Sequence, residues 1–345
     1  MFYCVFLLLD NGLTLQFTRH KHGGQLQLAS QQYGIPVSDW LDLSTGISPF
    51  IYPLSAVPSE CWQRLPEPHD GLEAAAEGYY GSAFLLPVSG SQEAIQRLPY
   101  LWSKGRRVGM MHPAYHSHQQ AWEGAGHRVV HFESSEIDRQ LPDLDVLVLV
   151  NPTNPSTELF TARRVMAWQQ KLAVRGGTLI IDEAFMDATP EQSVIRNMPI
   201  PGLIVLRSIG KFFGMAGVRL GFVWAEVNIL EQLASRQDDW SVSHPSRWAG
   251  TTVLRNRPWQ KRQRIRLSQA SERLCGLLSQ YVHSHISRTA LFAYFQHEKA
   301  KDYHQLLAQH GILTRLFETP LALRFGLPAS EAQWLRLEES LKAIL

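Results

Sequence analysis

From about residue 70 the chain alternates short apolar runs with longer stretches of mixed polarity, and this alternation limits the folds it can adopt. The apolar runs include "DLDVLVLV" (143–150), "TLIID" (178–182) and "GLIVLRS" (202–208). Runs that are apolar at nearly every position are typical of strands covered on both faces. Stretches such as "TARRVMAWQQKLAVRGG" (161–177) predict helices between them. The sequence therefore predicts an α/β fold with a mostly parallel sheet flanked by helices.

The two ends of the chain differ from this middle part. After about residue 226 helices dominate, and the chain closes with the hairpin-like "LTRLFETPLALRFGL" (313–327) and a last helix. A chain of 345 residues that is 45% apolar is long and apolar enough to bury a full hydrophobic core. We expect a large domain over residues 51–235, and a small α+β domain built from both ends, 1–50 and 236–345.

Charge and cysteine content exclude several other classes of protein. The formal net charge of +2 gives little support to a nucleic-acid partner. Cys4, Cys61 and Cys275 lie far apart without a pairing motif, which favours a reducing compartment and no metal cluster. The apolar start, residues 1–10, lacks a basic segment and is too short to span a membrane. We interpret it as a strand or an upstream extension, and we expect a cytoplasmic protein without a membrane partner.

Polar or reactive side chains follow five of the predicted strands. Because ligands bind outside the carboxyl ends of strands in open parallel sheets, five such ends together indicate a shared site. In chain order, the segments are Ser89 to Gln92, His112 to Tyr115, Asn151 to Thr157, Asp182 with Glu183, and Ser208 followed by Lys211.

Each of these segments has a plain structural explanation when it is taken alone. "SGSQEAI" (89–95) could bind an anion at a helix start, or it could be an ordinary helix cap. Asp182 ends an apolar strand, where it needs a cationic partner or caps the next helix. Lys211 lies in a segment that we expect to be too glycine-rich for a stable helix, so it could be a solvated loop residue. Arg219 could pair with any surface acid.

Taken together, these residues match what pyridoxal 5'-phosphate (PLP) requires. Lys211 can form the covalent bond to the cofactor, and Asp182 can keep the pyridine nitrogen protonated. Tyr115 can stack on the ring, and Asn154 can donate a hydrogen bond to the phenolic oxygen. The phosphate group would be held by Gly90, Ser91, Gln92, Ser208 and Arg219.

At this point the chain resembles a known family over nearly its whole length. "NPTNP" (151–155), "IIDEAF" (180–185) and "RSIGKFFGMAGVRLGF" (207–222) resemble the asparagine, aspartate and lysine motifs of fold-type I, aminotransferase-like PLP enzymes. The resemblance implies PLP as the cofactor and a homodimer as the assembly.

Three further stretches resemble one subgroup, the threonine-phosphate decarboxylases of cobalamin synthesis. They are residues 22–50, 64–81 and 314–328. This resemblance implies decarboxylation of L-threonine O-3-phosphate to (R)-1-amino-2-propanol O-2-phosphate. The alternative is an aminotransferase of the histidinol-phosphate type. Aminotransferase-like modules also occur in transcription regulators, but those carry an added DNA-binding domain, for which we expect no room in this chain.

The resemblance also implies which residues bind the substrate. Arg324 should hold the carboxylate, Arg315 and His22 are candidates for the phosphate, and Gly46 and Asn154 should lie beside the substrate. The chain departs from the family pattern at four positions, each of which could shift substrate choice or a contact between subunits. Phe185 and Leu65 replace tyrosines, Thr157 replaces a glycine, and Gly210 replaces a serine.

Overall fold

A computed structural model describes Cys4–Val5, Gln16–Phe17 and residues 22–344. The described strands are β1 Cys4–Val5, β2 Gln16–Phe17, β3 Leu41–Asp42, β4 Leu85–Val88, β5 Arg107–Met111, β6 Arg128–Phe132, β7 Val146–Val150, β8 Thr178–Asp182, β9 Leu203–Ser208, β10 Gly221–Trp224, β11 Ile286–Arg288, β12 Phe292–Gln296, β13 Ile312–Leu313, β14 Arg315–Glu318 and β15 Leu321–Gly326.

Helices lie between most of these strands. In chain order they are α1 Leu26–Tyr33, α2 Glu60–Gln63, α3 Leu72–Tyr80, α4 Ser91–Arg97, α5 His116–Gly124, α6 Ile137–Gln140, α7 Ala162–Ala173, α8 Ile209–Phe212, α9 Val227–Ala234, α10 His244–Arg255, α11 Arg257–Leu278, α12 Ala300–Gln309 and α13 Glu331–Ile344. Among the described residues, no helix is long and apolar enough to cross a membrane.

The larger sheet has seven strands in the order β4-β10-β9-β8-β7-β5-β6. All neighbouring pairs are parallel except those of β10, which is antiparallel to both β4 and β9. Every residue of β7, β8 and β9 is buried, because helices cover both faces of the sheet. The predicted fold class, a mostly parallel sheet flanked by helices, is confirmed.

A second, antiparallel sheet has the order β11-β12-β15-β14 and comes from the last third of the chain. Near it, β13 pairs in parallel with β3, so an early segment is joined to a late one. One cluster of buried apolar side chains runs from the large sheet, through Phe185, to Phe292 and Phe325 of the small sheet. The domain boundaries expected at residues 50 and 235 stay a prediction.

The apolar start of the chain lies mostly outside the described residues. Its described part is β1, which pairs antiparallel with β2 further along the chain, where Cys4 is aligned with Phe17.

A buried cluster of charges lies where β8 and β9 end. The guanidinium of Arg207 (1% exposed) donates to Glu183 at 2.6 Å and also to Asp187. Burial by itself would lower the pKa of Arg207, but the two carboxylates outweigh it and raise the pKa above its usual value. Arg264 of α11 donates to the backbone carbonyl of Asp187 at 2.9 Å. The cluster thus fixes the segments that follow Asp182 and precede Ser208.

Candidate active site

The carboxyl ends of five strands meet at one edge of the large sheet. β5, β7, β8 and β9 are parallel, and β4 runs the same way because both β4 and β9 are antiparallel to β10. The five polar segments predicted to share a site therefore follow strands that end at the same edge.

Asp182 is the last residue of β8 and only 3% of it is exposed. Its Oδ2 lies 3.0 Å from Nε2 of His118 in α5, and its Oδ1 accepts the backbone N–H of Ala184 at 3.0 Å. His118 is absent from the site residues that the sequence predicts. Its position one turn after Tyr115, at the same sheet edge, was the available signal. A buried carboxylate held by two partners is a fixed site of negative charge.

Lys211 lies in the four-residue helix α8, directly after β9. The expectation of a segment too glycine-rich for a stable helix is wrong for residues 209–212, whereas residues 213–215 directly after them are not helical. Ile209 and Phe212 are fully buried on either side of Lys211, and this packing outweighs the poor helix propensity of glycine. The lysine side chain is half-buried, with Nζ 5.9 Å from the centre of the Phe185 ring.

The surroundings of Lys211 lower the pKa of its amine to about 8. Burial is the largest cause, and the positive charges of Arg324 and Arg219 add to it, while Asp182 opposes them. Lysine has an ordinary pKa of about 10.4, so far more of this amine is neutral near pH 7 than in a solvated lysine. Neutral amines are nucleophiles and proton acceptors.

A tight cradle lies at the start of α4. Gly90 has φ +75°, and a Cβ there would lie 2.6 Å from Nη2 of Arg219. At Gly221, a Cβ would lie 2.7 Å from the backbone nitrogen of Ser91. The guanidinium therefore lies directly over the glycine that begins the helix. The first-turn N–H groups of Ser91 and Gln92 have no partner inside the helix, so together with Arg219 they can hold an anion.

Tyr115 lies between this cradle and Asp182. Its hydroxyl donates to Oε1 of Gln92 at 3.1 Å, and its ring lies edge-on to His118 with centroids 6.2 Å apart. The ring of His22 is 6.1 Å away on the N-terminal segment. Tyr115 therefore joins three parts of the chain at the sheet edge.

Arg324, in β15 of the small sheet, also reaches this edge. Its Nη1 donates to Oδ1 of Asn154 at 2.6 Å and its Nη2 to the carbonyl of Ser44 at 2.7 Å. Among the described residues its Nε has no hydrogen-bond partner, although only 7% of the residue is exposed. Because the Asn154 oxygen is engaged, its NH₂ group is the part that can donate to a ligand.

A second arginine lies beside Arg324. Arg315 of β14 is aligned with Arg324 in the antiparallel ladder. The pKa of Arg324 is lowered to about 9, mainly by burial and also by the positive charge of Arg315, while the negative charge of Asp42 opposes both. Burial also lowers the pKa of Arg315. Two neighbouring cations in a poorly solvated place are therefore a candidate site for anions.

At three of the remaining positions, the space for a side chain or the backbone conformation is restricted. Gly46 passes between two rings, since a Cβ would lie 3.0 Å from Phe185 and 3.1 Å from Phe292. Thr157 has φ +68°, a conformation that glycine adopts more easily. At Gly210 a Cβ would lie 3.0 Å from the backbone of Ala216, which leaves little room for the serine of the family pattern. Leu65 is 60% exposed on the surface.

Comparison with known proteins places this arrangement in a family. A family model for aminotransferase class I and II matches residues 65–339. The chain belongs to the aminotransferase class I and II family. It is similar to the threonine-phosphate decarboxylase of Pseudomonas aeruginosa, with 48% identity over 93% of this chain and 97% of that protein. It is also similar to the threonine-phosphate decarboxylase of Sinorhizobium sp, with 36% identity over 93% and 97% of the two chains.

Solved structures share the fold. Histidinol-phosphate aminotransferase from Sinorhizobium meliloti, in complex with pyridoxal-5'-phosphate, matches with a TM-score of 0.80 at 19% identity, over 92% of this chain and 95% of that one. The family and the aminotransferase-like fold implied by the sequence motifs are thereby confirmed.

The lowered pKa of Lys211 leads to a testable prediction. Acetic anhydride reacts only with the neutral amine, so the labelling rate of Lys211 in the ligand-free protein should rise with pH and reach half its maximum near pH 8. In Arg324→Met the midpoint should move to higher pH, because a positive charge that disfavours the ammonium form is gone. Peptide mass spectrometry measures the rate, with exposed lysines of the same sample as the reference for reagent reactivity. A midpoint near 10.4 in the unmodified chain would contradict the prediction.

Proposed function

We propose that this protein is a PLP-dependent decarboxylase that converts L-threonine O-3-phosphate to (R)-1-amino-2-propanol O-2-phosphate in cobalamin synthesis. The observation that carries the proposal is the 48% identity with a threonine-phosphate decarboxylase over 93% of the chain. The site adds support, because a substrate with both a carboxylate and a phosphate suits the adjacent cations of Arg324 and Arg315.

The residues at the sheet edge fit PLP. The cradle formed by Gly90, the start of α4 and Arg219 is suited to its phosphate group, and a Cβ at Gly90 would fill it. Asp182, held by His118, supplies the negative charge that a protonated pyridine nitrogen needs. When bound to Lys211, PLP supplies an electron-accepting ring for the electron pair released as the carboxylate departs.

The chain's own residues then bind and orient the substrate. We assign the carboxylate to Arg324, whose Nε lacks a partner among the described residues, and the phosphate to Arg315, with His22 as a further candidate. Asn154 links the substrate-binding and cofactor-binding parts of the proposed site. Its side-chain oxygen accepts a hydrogen bond from Arg324, and its NH₂ group can face the cofactor's phenolic oxygen. The site would thereby hold both charged ends of the substrate, on either side of its α and β carbons.

Lys211 also has a role after CO₂ leaves, when a proton must be added to the α carbon. A group with a pKa of about 8 can give and take a proton at neutral pH, and Lys211 is such a group beside the site. We therefore assign it as the proton donor.

A first prediction separates decarboxylation from transamination. Mixed with threonine phosphate and no keto acid, the PLP-loaded enzyme should release many equivalents of CO₂, because a decarboxylase restores its cofactor in every turnover. Histidinol phosphate lacks the carboxylate that Arg324 would bind and should not convert the cofactor to its amine form efficiently. Trapped CO₂ and the absorption spectrum give the readout. Stoichiometric conversion to pyridoxamine phosphate, rescued by 2-oxoglutarate, would instead support an aminotransferase.

A second prediction tests the two arginines separately. Arg324→Ala should lower kcat/KM for threonine phosphate by roughly thirty-fold or more, since a charge-assisted contact worth about 2–4 kcal/mol is lost. The product keeps the phosphate but has no carboxylate. Arg324→Ala should therefore barely change product binding, whereas Arg315→Ala should weaken it.

Product inhibition constants of the two variants check this assignment. An equal loss of product affinity in both variants would contradict it.

We also propose that the protein is a homodimer, as the family resemblance implies, and that it acts in the cytoplasm. Support for the dimer comes from large apolar side chains on one surface, where Trp62, Leu65 and Trp240 are more than half exposed. They line a cavity of about 610 Å³ whose wall includes Val218, next to Arg219. Leu65 cannot make the polar contact that a tyrosine would make across the dimer, but it can be covered by the partner.

The dimer is tested by mass in solution. Light scattering should give about twice the chain mass of 39.1 kDa. Trp62→Glu should shift the protein toward the monomer, because a buried, unpaired charge opposes association. Val174→Glu is the control, since Val174 is 87% exposed at the end of α7 and does not line the cavity. A monomer at micromolar concentration, or an equal effect of both variants, would contradict the proposal.

A further inference from the structure

Arg219 has a backbone conformation that its own turn does not hold firmly. It has φ +50° and ψ 54°, in the left-handed region that disfavours any residue with a Cβ. The 3₁₀ turn Ala216–Val218 precedes it, and the bond from the Arg219 backbone N–H to the carbonyl of Ala216 is 3.4 Å long. Such a conformation persists only when the surrounding structure fixes it.

Helix α10 makes a strong contact just before Arg219. The hydroxyl of Ser246 donates to the carbonyl of Val218 at 2.6 Å, and only 9% of Ser246 is exposed. The C=O of Val218 and the N–H of Arg219 belong to the same peptide plane, so this bond fixes the orientation of that plane. The orientation of the plane sets φ of Arg219.

The same helix makes a second contact just after Arg219. Gly250 lies one turn beyond Ser246, and a Cβ there would lie 2.3 Å from Cδ2 of Leu220. Residues four apart share a helix face, so α10 contacts both neighbours of Arg219 with one face. We name Ser246 and Gly250 the α10 clamp.

The helix is itself anchored to the body of the protein. Arg247 donates to both carboxylate oxygens of Asp70 at 2.8 Å each, and to Glu73 of α3 at 2.7 Å. Only 7% of Arg247 is exposed. A two-point contact to a carboxylate fixes the orientation of the guanidinium as well as its distance. Helix α10, which bears the clamp, is therefore held firmly against the body of the protein.

We propose that the α10 clamp holds Arg219 in its left-handed conformation, with the guanidinium over Gly90, and thereby sets the affinity of the protein for the phosphate group of PLP. Ser246 is a positioning residue that acts through Arg219 and does not touch the cofactor. The proposal rests on the assignment of Arg219 to the cofactor phosphate. Ser246 also lies 2.8 Å from the hydroxyl of the helix-capping Ser243, so a role in helix stability alone is the alternative.

The test is equilibrium dialysis of the full-length holoenzyme against graded PLP concentrations. Ser246→Ala should raise the dissociation constant of PLP by about 3–10-fold, the range expected for one buried hydrogen bond. The control is Thr252→Ala, which removes another α10 hydroxyl that bonds to the carbonyl of Trp248 at 2.9 Å. The control should leave PLP affinity unchanged.

A double variant decides whether Ser246 acts through Arg219. Arg219→Ala alone should weaken PLP binding, and adding Ser246→Ala should weaken it no further, because the clamp then has nothing to position. If Arg219→Ala leaves PLP affinity unchanged, the assignment of Arg219 fails. If Arg219→Ala weakens binding but Ser246→Ala matches the control, or if Ser246→Ala adds its full effect in the double variant, the clamp is overturned. Should Ser246→Ala not fold, Ser246→Cys, which nearly keeps the size but donates weakly, carries the same expectations.

Discussion

The pairing of buried charge is the constraint on which both the fold and the site depend. Arg207 is fully buried and meets two carboxylates, so its charge is compensated inside the protein. Arg324 is almost as deeply buried, but its hydrogen bonds go to a carbonyl and an amide oxygen. An ion moved out of water without an opposite charge is costly. The first arginine is therefore compensated by its own side-chain partners, whereas the second has only neutral hydrogen-bond partners among the described residues, with Asp42 as a nearby negative charge.

The compensated cluster also determines where the reactive groups lie. Glu183 directly follows Asp182, and Arg207 directly precedes Ser208. The ion pair between Glu183 and Arg207 therefore holds the ends of β8 and β9 together. The carboxylate of Asp182 is turned to His118. Lys211 lies only three residues after Ser208, in the short buried helix α8. A shift of either strand end would separate the negative charge of Asp182 from the amine of Lys211, and so the cluster positions the site without touching a ligand.

Much of this arrangement could be predicted from the sequence, because strand ends that share a direction must meet at one sheet edge. That rule was sufficient to bring Asp182 and Lys211 to one place. It could not identify His118 or Ser246, since their partners lie 64 and 28 residues away and depend on how helices pack against the sheet. Nor could it foresee helix α8, whose formation depends on tertiary burial and not on local propensity. Hydrogen bonds across packed elements are the part that propensity and periodicity do not encode.

The geometry of the small sheet gives the proposed substrate choice a physical basis. Arg315 and Arg324 are directly opposed in the β14–β15 ladder, where like charges destabilise the pairing. A ligand with a single anionic group would relieve only part of this repulsion. A ligand with a carboxylate and a phosphate, separated by two carbons, can neutralise both arginines at once. In the proposed assignment, binding of such a substrate would relieve the repulsion between the two arginines, which favours a ligand that carries both charges.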